Sequence, residues 1–267
     1  MNYLFFPTLL IASVLFTVGS WLTPRVSKIT FWILCGVATL LAIPGVLFAV
    51  YYLKLLRTSV WFYEFRSIPY TELTAGGAGL LAGLLHERFS TNAKFRRIAG
   101  SWFFPGVLGL GLLTPYIKPI ARPLNPNQFQ NRWSDQVCLQ TSESSCGPAC
   151  AATLLHHFGK EATEAQIARE CFTSRNGTEA WYLARMFRKR GLHVQFVFHS
   201  DLNKAWPSPA IAGVRLPQSG NTGHFITVLD RRNDKYVIGD PLEGITTQSQ
   251  SALRDTYDFT GFFIVIK

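Results

Sequence analysis

Two stretches without a charged side chain constrain this chain more than anything else in it: YLFFPTLLIASVLFTVGSWL at residues 3–22 and TFWILCGVATLLAIPGVLFAVYYL at residues 30–53. Each is long enough, as a helix, to cross a hydrocarbon core of about 30 Å. The seven-residue connection TPRVSKI makes the pair a helical hairpin. Residues 1–10 carry no Lys or Arg, and no small-x-small cleavage site follows the first run. These features point to a retained transmembrane helix rather than a signal peptide. Pro44-Gly45 can kink the second run, which a membrane helix tolerates, and Tyr51 and Tyr52 suit an interfacial belt.

The N-terminal half holds two further apolar segments. SWFFPGVLGLGLLTPYI, residues 101–117, is a short Gly- and Pro-rich third span. AGGAGLLAGLL, residues 75–85, is too short at 11 residues to cross and reads as a packed or interfacial helix. Residues 1–120 thus form a membrane region, and the Pro- and Asn-rich residues 121–132 a linker.

The formal charge of +10 divides unevenly. Residues 1–132 hold 12 Lys/Arg against 3 Asp/Glu, and residues 133–267 hold 14 against 13. The basic excess flanks the apolar runs, where positive residues of membrane proteins gather, so the pattern argues against nucleic-acid binding. Segment 54–100 holds seven Lys/Arg. The positive-inside rule places it in the cytoplasm, and three spans then put the C-terminal half on the extracytoplasmic side of a multi-pass cytoplasmic (inner) membrane protein.

From residue 133 the texture is α+β. Residues 147–158, 163–172 and 178–190 read as helices, with Pro148 in a first turn and Gly159 and Gly191 as stops. Strand-like runs follow at 193–198, 210–214, 224–230, 235–239 and 262–266. Helices first and strands afterwards suggest a helical lobe packed on an antiparallel sheet.

The chemistry concentrates in QTSESSCGPACAATLLHHFG, residues 140–159. Cys146 and Cys150 lie one helical turn apart, and no second ligand pair follows, so no metal site is expected. A disulfide within that helix would constrain little, while one from Cys138 to Cys150 or Cys171 stays open. Cys146 stands at a helix N-terminus, where free N–H groups and the dipole favour a thiolate. Gly147 leaves room for a substrate backbone. Cys150 reads as core, and His156 and His157 as a favourable charge at the helix end. His224 opens the run HFITVLD and Asp240 closes KYVIGD. A turn centred between Arg232 and Asn233 sets position 224 opposite 241, which makes His224 and Asp240 neighbours. A carboxylate so placed holds an imidazole in its useful tautomer. Gln140 is the candidate oxyanion donor, together with the Cys146 N–H.

With QTSESSCGPACAATLLHHFG, the blocks NGTEAWYLARMFRKRGL, PSPAIAGVRLPQSGNTGHFITVLDRRNDKYVIGDPLEG and FTGFFIVI follow one another. In this order they resemble the bacteriocin-processing, papain-like cysteine peptidases that cut leader peptides after a double glycine. The resemblance covers residues 133–267 and implies Cys146 as nucleophile, His224 as base, Asp240 as orienting carboxylate and Gln140 in the oxyanion hole, with no cofactor. Ser145 stands where the family commonly has Asp. The best-known members join this domain to an ATP-driven transporter. Here the membrane part comes first and no Gly-Lys-Ser/Thr phosphate loop is present, so a stand-alone, membrane-anchored peptidase is expected. Its expected partners are a peptide or protein substrate, membrane lipid and a separate export or transporter protein. Two alternatives stand beside this: a non-catalytic peptide-binding module presenting a substrate to an export partner, and another acyl transfer on the same scaffold.

Overall fold

The two long apolar runs become the two longest helices of the computed structural model, which describes residues 4–53, 59–92, 102–113, 116, 120–125, 128–220 and 222–267. Residues 101, 114–115 and 117 of the expected third span, and 126–127 of the expected linker, lie outside this set. The chain divides into two compact units. One comprises residues 1–58 and 69–120, the other residues 59–68 and 121–267.

In the first unit, α1 is Phe5–Leu22 and α2 is Lys28–Tyr52. The Ser27 hydroxyl caps α2 by accepting from the Thr30 N–H at 3.2 Å. Pro44 lies inside α2. Both helices are long and apolar enough to cross a membrane. The next helix, α3 (Val60–Ser67), belongs to the second unit. A 3-10 segment, Thr71–Gly77, then continues into α4, Ala78–Ser90. The AGGAGLLAGLL run is therefore the middle of a longer helical stretch, and it packs against both α1 and α2. Its glycines explain how. A Cβ on Gly79 would stand 2.1 Å from the Ala12 carbonyl oxygen, and one on Gly83 2.1 Å from that of Phe16. Only bare backbone permits so close an approach, as between membrane helices with small residues four apart. The helix α5 spans Phe103–Leu113, about 16 Å at 1.5 Å per residue.

The second unit begins with a small antiparallel pair, β1 (Arg132–Ser134) and β2 (Val137–Leu139). Helices α6 (Cys146–His157), α7 (Glu164–Glu170) and α8 (Ala180–Lys189) follow. Thr163 and Gln166 form a reciprocal capping box on α7. Glu179 occupies the cap position of α8, and Thr178 before it shares a 2.7 Å hydrogen bond with the Thr173 hydroxyl. The rest is β3 (Val194–Phe198), β4 (Ala210–Leu216), β5 (Thr222–Arg232), β6 (Lys235–Asp240), β7 (Gly244–Ser249), α9 (Gln250–Thr256) and β8 (Asp258–Ile266). The strands form one antiparallel sheet in the order β3-β8-β4-β5-β6-β7. Trp206, Val228, Tyr236, Ile238, Leu253 and Phe259 anchor a core on this sheet, with Trp206 stacked 4.1 Å from Phe259. The unit is α+β, as its sequence texture indicates.

One register differs from expectation. Arg232 pairs with Lys235, so the β5–β6 turn is Asn233-Asp234, one residue later than read. Asn233 takes φ 56°, the left-handed conformation that a two-residue hairpin turn demands and that Asn tolerates. A bulge between Val228 and Asp230 then shifts the pairing by one, and Thr227 meets Gly239. His224 and Asp240 are consequently diagonal neighbours rather than nearly opposite each other.

Candidate active site

The site is assembled from three places in the second unit: the first residue of α6, the beginning of β5 and the end of β6. The approach to α6 is a tight turn. Ser145 N–H donates to the Ser142 carbonyl at 3.1 Å, and Ser142 N–H donates to the Ser145 hydroxyl at 3.0 Å. The buried Ser145 thus closes the turn that delivers Cys146 to the start of the helix. Thr178 and Leu183 fill the space beside Gly147, 3.2 and 3.4 Å from where a Cβ would be. The room expected there for a substrate backbone is therefore taken by the protein, and Gly147 serves close packing instead.

His224 lies on β5, paired with Val214 of β4. Its Nε2 is 2.9 Å from Asp240 Oδ1. That contact engages Nε2, and the Cys146 side chain lies near enough to favour the charged imidazole. Burial opposes a charged imidazole, but the hydrogen bond to Asp240 and the neighbouring Cys146 outweigh it and raise His224 from 6.5 to about 9. For Asp240, burial pushes the carboxyl up, while hydrogen bonds from His224 and Tyr257 prevail and hold it below the usual carboxylate range. Two groups that the sequence reading passed over complete this carboxylate. Tyr257 Oη donates to Oδ2 at 2.6 Å, and the Leu242 N–H donates to Oδ1 at 2.8 Å.

Gln140 follows β2, which packs onto β6 closely enough that a Cβ on Gly239 would meet Val137 at 2.9 Å. The Gln140 N–H donates to the Pro241 carbonyl at 2.9 Å, tying it to the residue after Asp240. Its side-chain Nε2 donates to the Ser142 carbonyl at 2.9 Å, in the same turn that carries Ser145. The neighbouring Thr141 is pinned by buried Glu164, which accepts from its N–H at 2.9 Å and its hydroxyl at 2.6 Å. Cys146, His224, Asp240 and Gln140 are all buried, at 2–9% exposure. The structure thus brings Cys146, His224 and Asp240 into one chain of contacts and sets Gln140 against the turns that carry Cys146 and follow Asp240. Such a chain can activate a thiol, hold a proton on an imidazole and pass it on.

All five cysteines are free thiols. Cys150 donates to the Phe225 carbonyl at 3.2 Å, and burial raises its thiol well above the ordinary range. Cys138 is raised to about 12, mainly by burial. Trp181 is buried against Phe62 and Tyr63 of α3. An open cavity of about 630 Å³ lies elsewhere, lined by Trp133, His156, Glu161 and Gln166 among others. Among the described residues, no group of three or more His, Cys, Asp and Glu could hold a metal ion.

The profile of the peptidase C39 family matches residues 134–267. The chain is similar to the lactococcin-G-processing and transport ATP-binding protein LagD of Lactococcus lactis subsp. lactis, with 30% identity over 112 residues. That match covers 41% of this chain and only 16% of the transporter's length. An uncharacterized protein of Methanothermobacter marburgensis is 33% identical over 138 residues, covering 50% of this chain and 89% of that protein. Among solved structures, a double glycine motif protease from an AMS/PCAT transporter in complex with the leader peptide aligns with a TM-score of 0.42 at 22% identity, over 52% of this chain and 94% of that one.

Proposed function

Because the chain belongs to the peptidase C39 family, papain-like in its α+β architecture, we propose that it is a membrane-anchored cysteine peptidase acting through Cys146, His224, Asp240 and Gln140. The observation that carries this reading is buried His224, hydrogen-bonded to Asp240 at 2.9 Å and raised in basicity by the neighbouring Cys146. The Cys146 thiolate attacks the carbonyl carbon of a peptide bond, forming a C–S bond. The oxyanion is held by the Gln140 side-chain N–H and the Cys146 backbone N–H. As the intermediate collapses, the C–N bond breaks and the His224 imidazolium gives its proton to the leaving amine. Water then attacks the thioester, losing a proton to His224, and the acid departs to regenerate the thiolate–imidazolium pair. Asp240 keeps Nε2 protonated throughout.

The substrate follows from the family and from the relative whose name joins lactococcin G processing to its transport. It is a leader segment of a peptide bound for export, and a transport protein is the partner. The two long apolar helices, α1 and α2, support anchoring in a membrane.

The test compares peptides released by membranes carrying the wild-type chain and Cys146→Ala, identified by mass spectrometry. A cleavage product present only with wild type supports the proposal. Identical peptide sets, with both proteins folded and in contact with the uncleaved precursor, would leave a binding module as the better account.

A further inference from the structure

Contacts inside the helical unit run in order along α1. Thr8 Oγ1 shares a 3.0 Å hydrogen bond with the Tyr116 hydroxyl and lies 3.5 Å from the Glu72 carbonyl. Gly76 lies against Thr8 and Ile11, Gly79 against Ala12 and Gly83 against Phe16. Thr23 Oγ1 reaches the Leu84 carbonyl at 3.3 Å. The segment Thr71–Ser90 is therefore parallel to α1 and keeps pace with it from Thr8 to Thr23. Against α2 the order reverses. Ala75 lies beside Gly45, Gly77 beside Leu41, and Leu84 in a cluster with Phe31, Cys35 and Ala38, while the Arg88 guanidinium stands 5.7 Å over the Phe31 ring.

Seven residues of 3-10 helix and thirteen of α-helix measure about 33 Å end to end, close to the thickness of a hydrocarbon core. Residues 73–85 within this stretch carry no charge, and Glu72 lies before them and His86-Glu87-Arg88 after them. The chain then returns. Phe104 stacks on Phe89 at 6.0 Å near one end of the unit, and the Tyr116 ring lies 5.3 Å from Phe5 at the other.

Building on the reading that α1 and α2 cross a bilayer, we propose that this unit crosses it four times, with Thr71–Ser90 and residues 103–116 as the third and fourth passages. A helix that touches α1 turn after turn from Thr8 to Thr23 passes through whatever α1 passes through. Residues 23–27, 91–92 and 102 then lie on one side, and residues 53, 59–70 and those described from 120 onward on the other. Exposed apolar side chains such as Leu10, Val14, Ile33, Leu40 and Leu110 meet lipid. Exposed Trp21 and Trp102 mark one interface, with the Arg25 guanidinium 4.4 Å over the Trp21 ring, and Tyr52 and Tyr70 mark the opposite one.

This topology alters the charge argument. Of the seven Lys/Arg in 54–100, three precede Thr71 in the sequence and four follow Leu85, so the third passage separates them. They do not belong to a single loop, so they no longer choose a side.

Variants with one added cysteine test the proposal. Ser27→Cys, Ile68→Cys, Asn92→Cys and Asp234→Cys, each at an exposed position, are treated with a membrane-impermeant maleimide in sealed vesicles of known orientation, then again in detergent. Each is built on Cys146→Ala, whose four remaining cysteines are buried and whose own labelling gives the background. Positions 27 and 92 should label from one face, and positions 68 and 234 from the other. Labelling of 92 together with 68 would remove the third crossing, and labelling of 234 together with 92 the fourth. Release of the chain by alkaline carbonate, with every position labelled in intact vesicles of either orientation, would overturn the membrane reading itself. None of these readouts depends on peptidase activity.

Discussion

Asp240 is the most heavily supported side chain of the site, with Tyr257, Leu242 and His224 all donating to it. The consequence for pH has a definite sign. His224 is raised to about 9 in the folded chain from 6.5, so its stabilising pairing is complete below pH 6.5 and is lost as pH rises through about 9. The alkaline limb of kcat/KM should therefore fall near pH 9, and Asp240→Asn should move it toward neutral pH by removing a partner of the imidazolium; a pH–rate profile of both proteins checks this. Tyr257→Phe removes a buried donor to a carboxylate. It should lower kcat/KM by about tenfold, roughly 1.4 kcal/mol, with KM little changed. His224, Asp240 and Gln140 could be picked out of the sequence as candidates because their spacing and residue types carry chemistry directly. Tyr257 was not, because its place depends on β7 and α9, whose run GITTQSQSALRDT shows neither apolar alternation nor an apolar helical face.

At the scale of elements, α3 is the instructive case. Eight residues flanked by apolar runs read as part of a membrane region, yet they pack with the peptidase unit. Tyr63 is wedged among Trp181, Phe196 and Phe262, and Glu64 accepts from Arg188 at 2.8 Å and from the Phe196 N–H at 3.0 Å. Nothing local announces this, since the partners lie more than a hundred residues away. Tyr63→Ala should cost about 3 kcal/mol through lost ring packing. A lowered midpoint of thermal unfolding, with turnover per folded molecule unchanged, is the expected result. In the other unit, Gly83→Ala should destabilise by about 1–3 kcal/mol, because its methyl would strike the Phe16 carbonyl. Gly106→Ala on α5, with nothing within 4 Å of its Cβ, should not. Comparing the unfolding midpoints of both variants in detergent checks the pair. The glycine-rich run advertised close packing in the sequence, but which helices it joins could be read only from the fold. The β5–β6 register failed for a similar reason. A hairpin turn is chosen by which residue tolerates positive φ, and a bulge leaves no trace in an alternating pattern.

For the whole molecule, the α+β class of the C-terminal half followed from the order of helices and strands, and the family followed from four blocks in sequence. The way a short helix from the N-terminal half joins the peptidase unit did not, because it is a long-range contact between segments that are each unremarkable alone. What unites the account is one claim: Cys146 is the reactive group, and His224 is what makes it so. The most direct measurement is the alkylation of the intact chain by iodoacetamide at about pH 6, followed cysteine by cysteine with peptide mass spectrometry. The account predicts that Cys146 is modified first among the five, and that His224→Ala slows it by about a hundredfold. Modification of Cys146 no faster than that of buried Cys150 and Cys171, or at the same rate without His224, would contradict it.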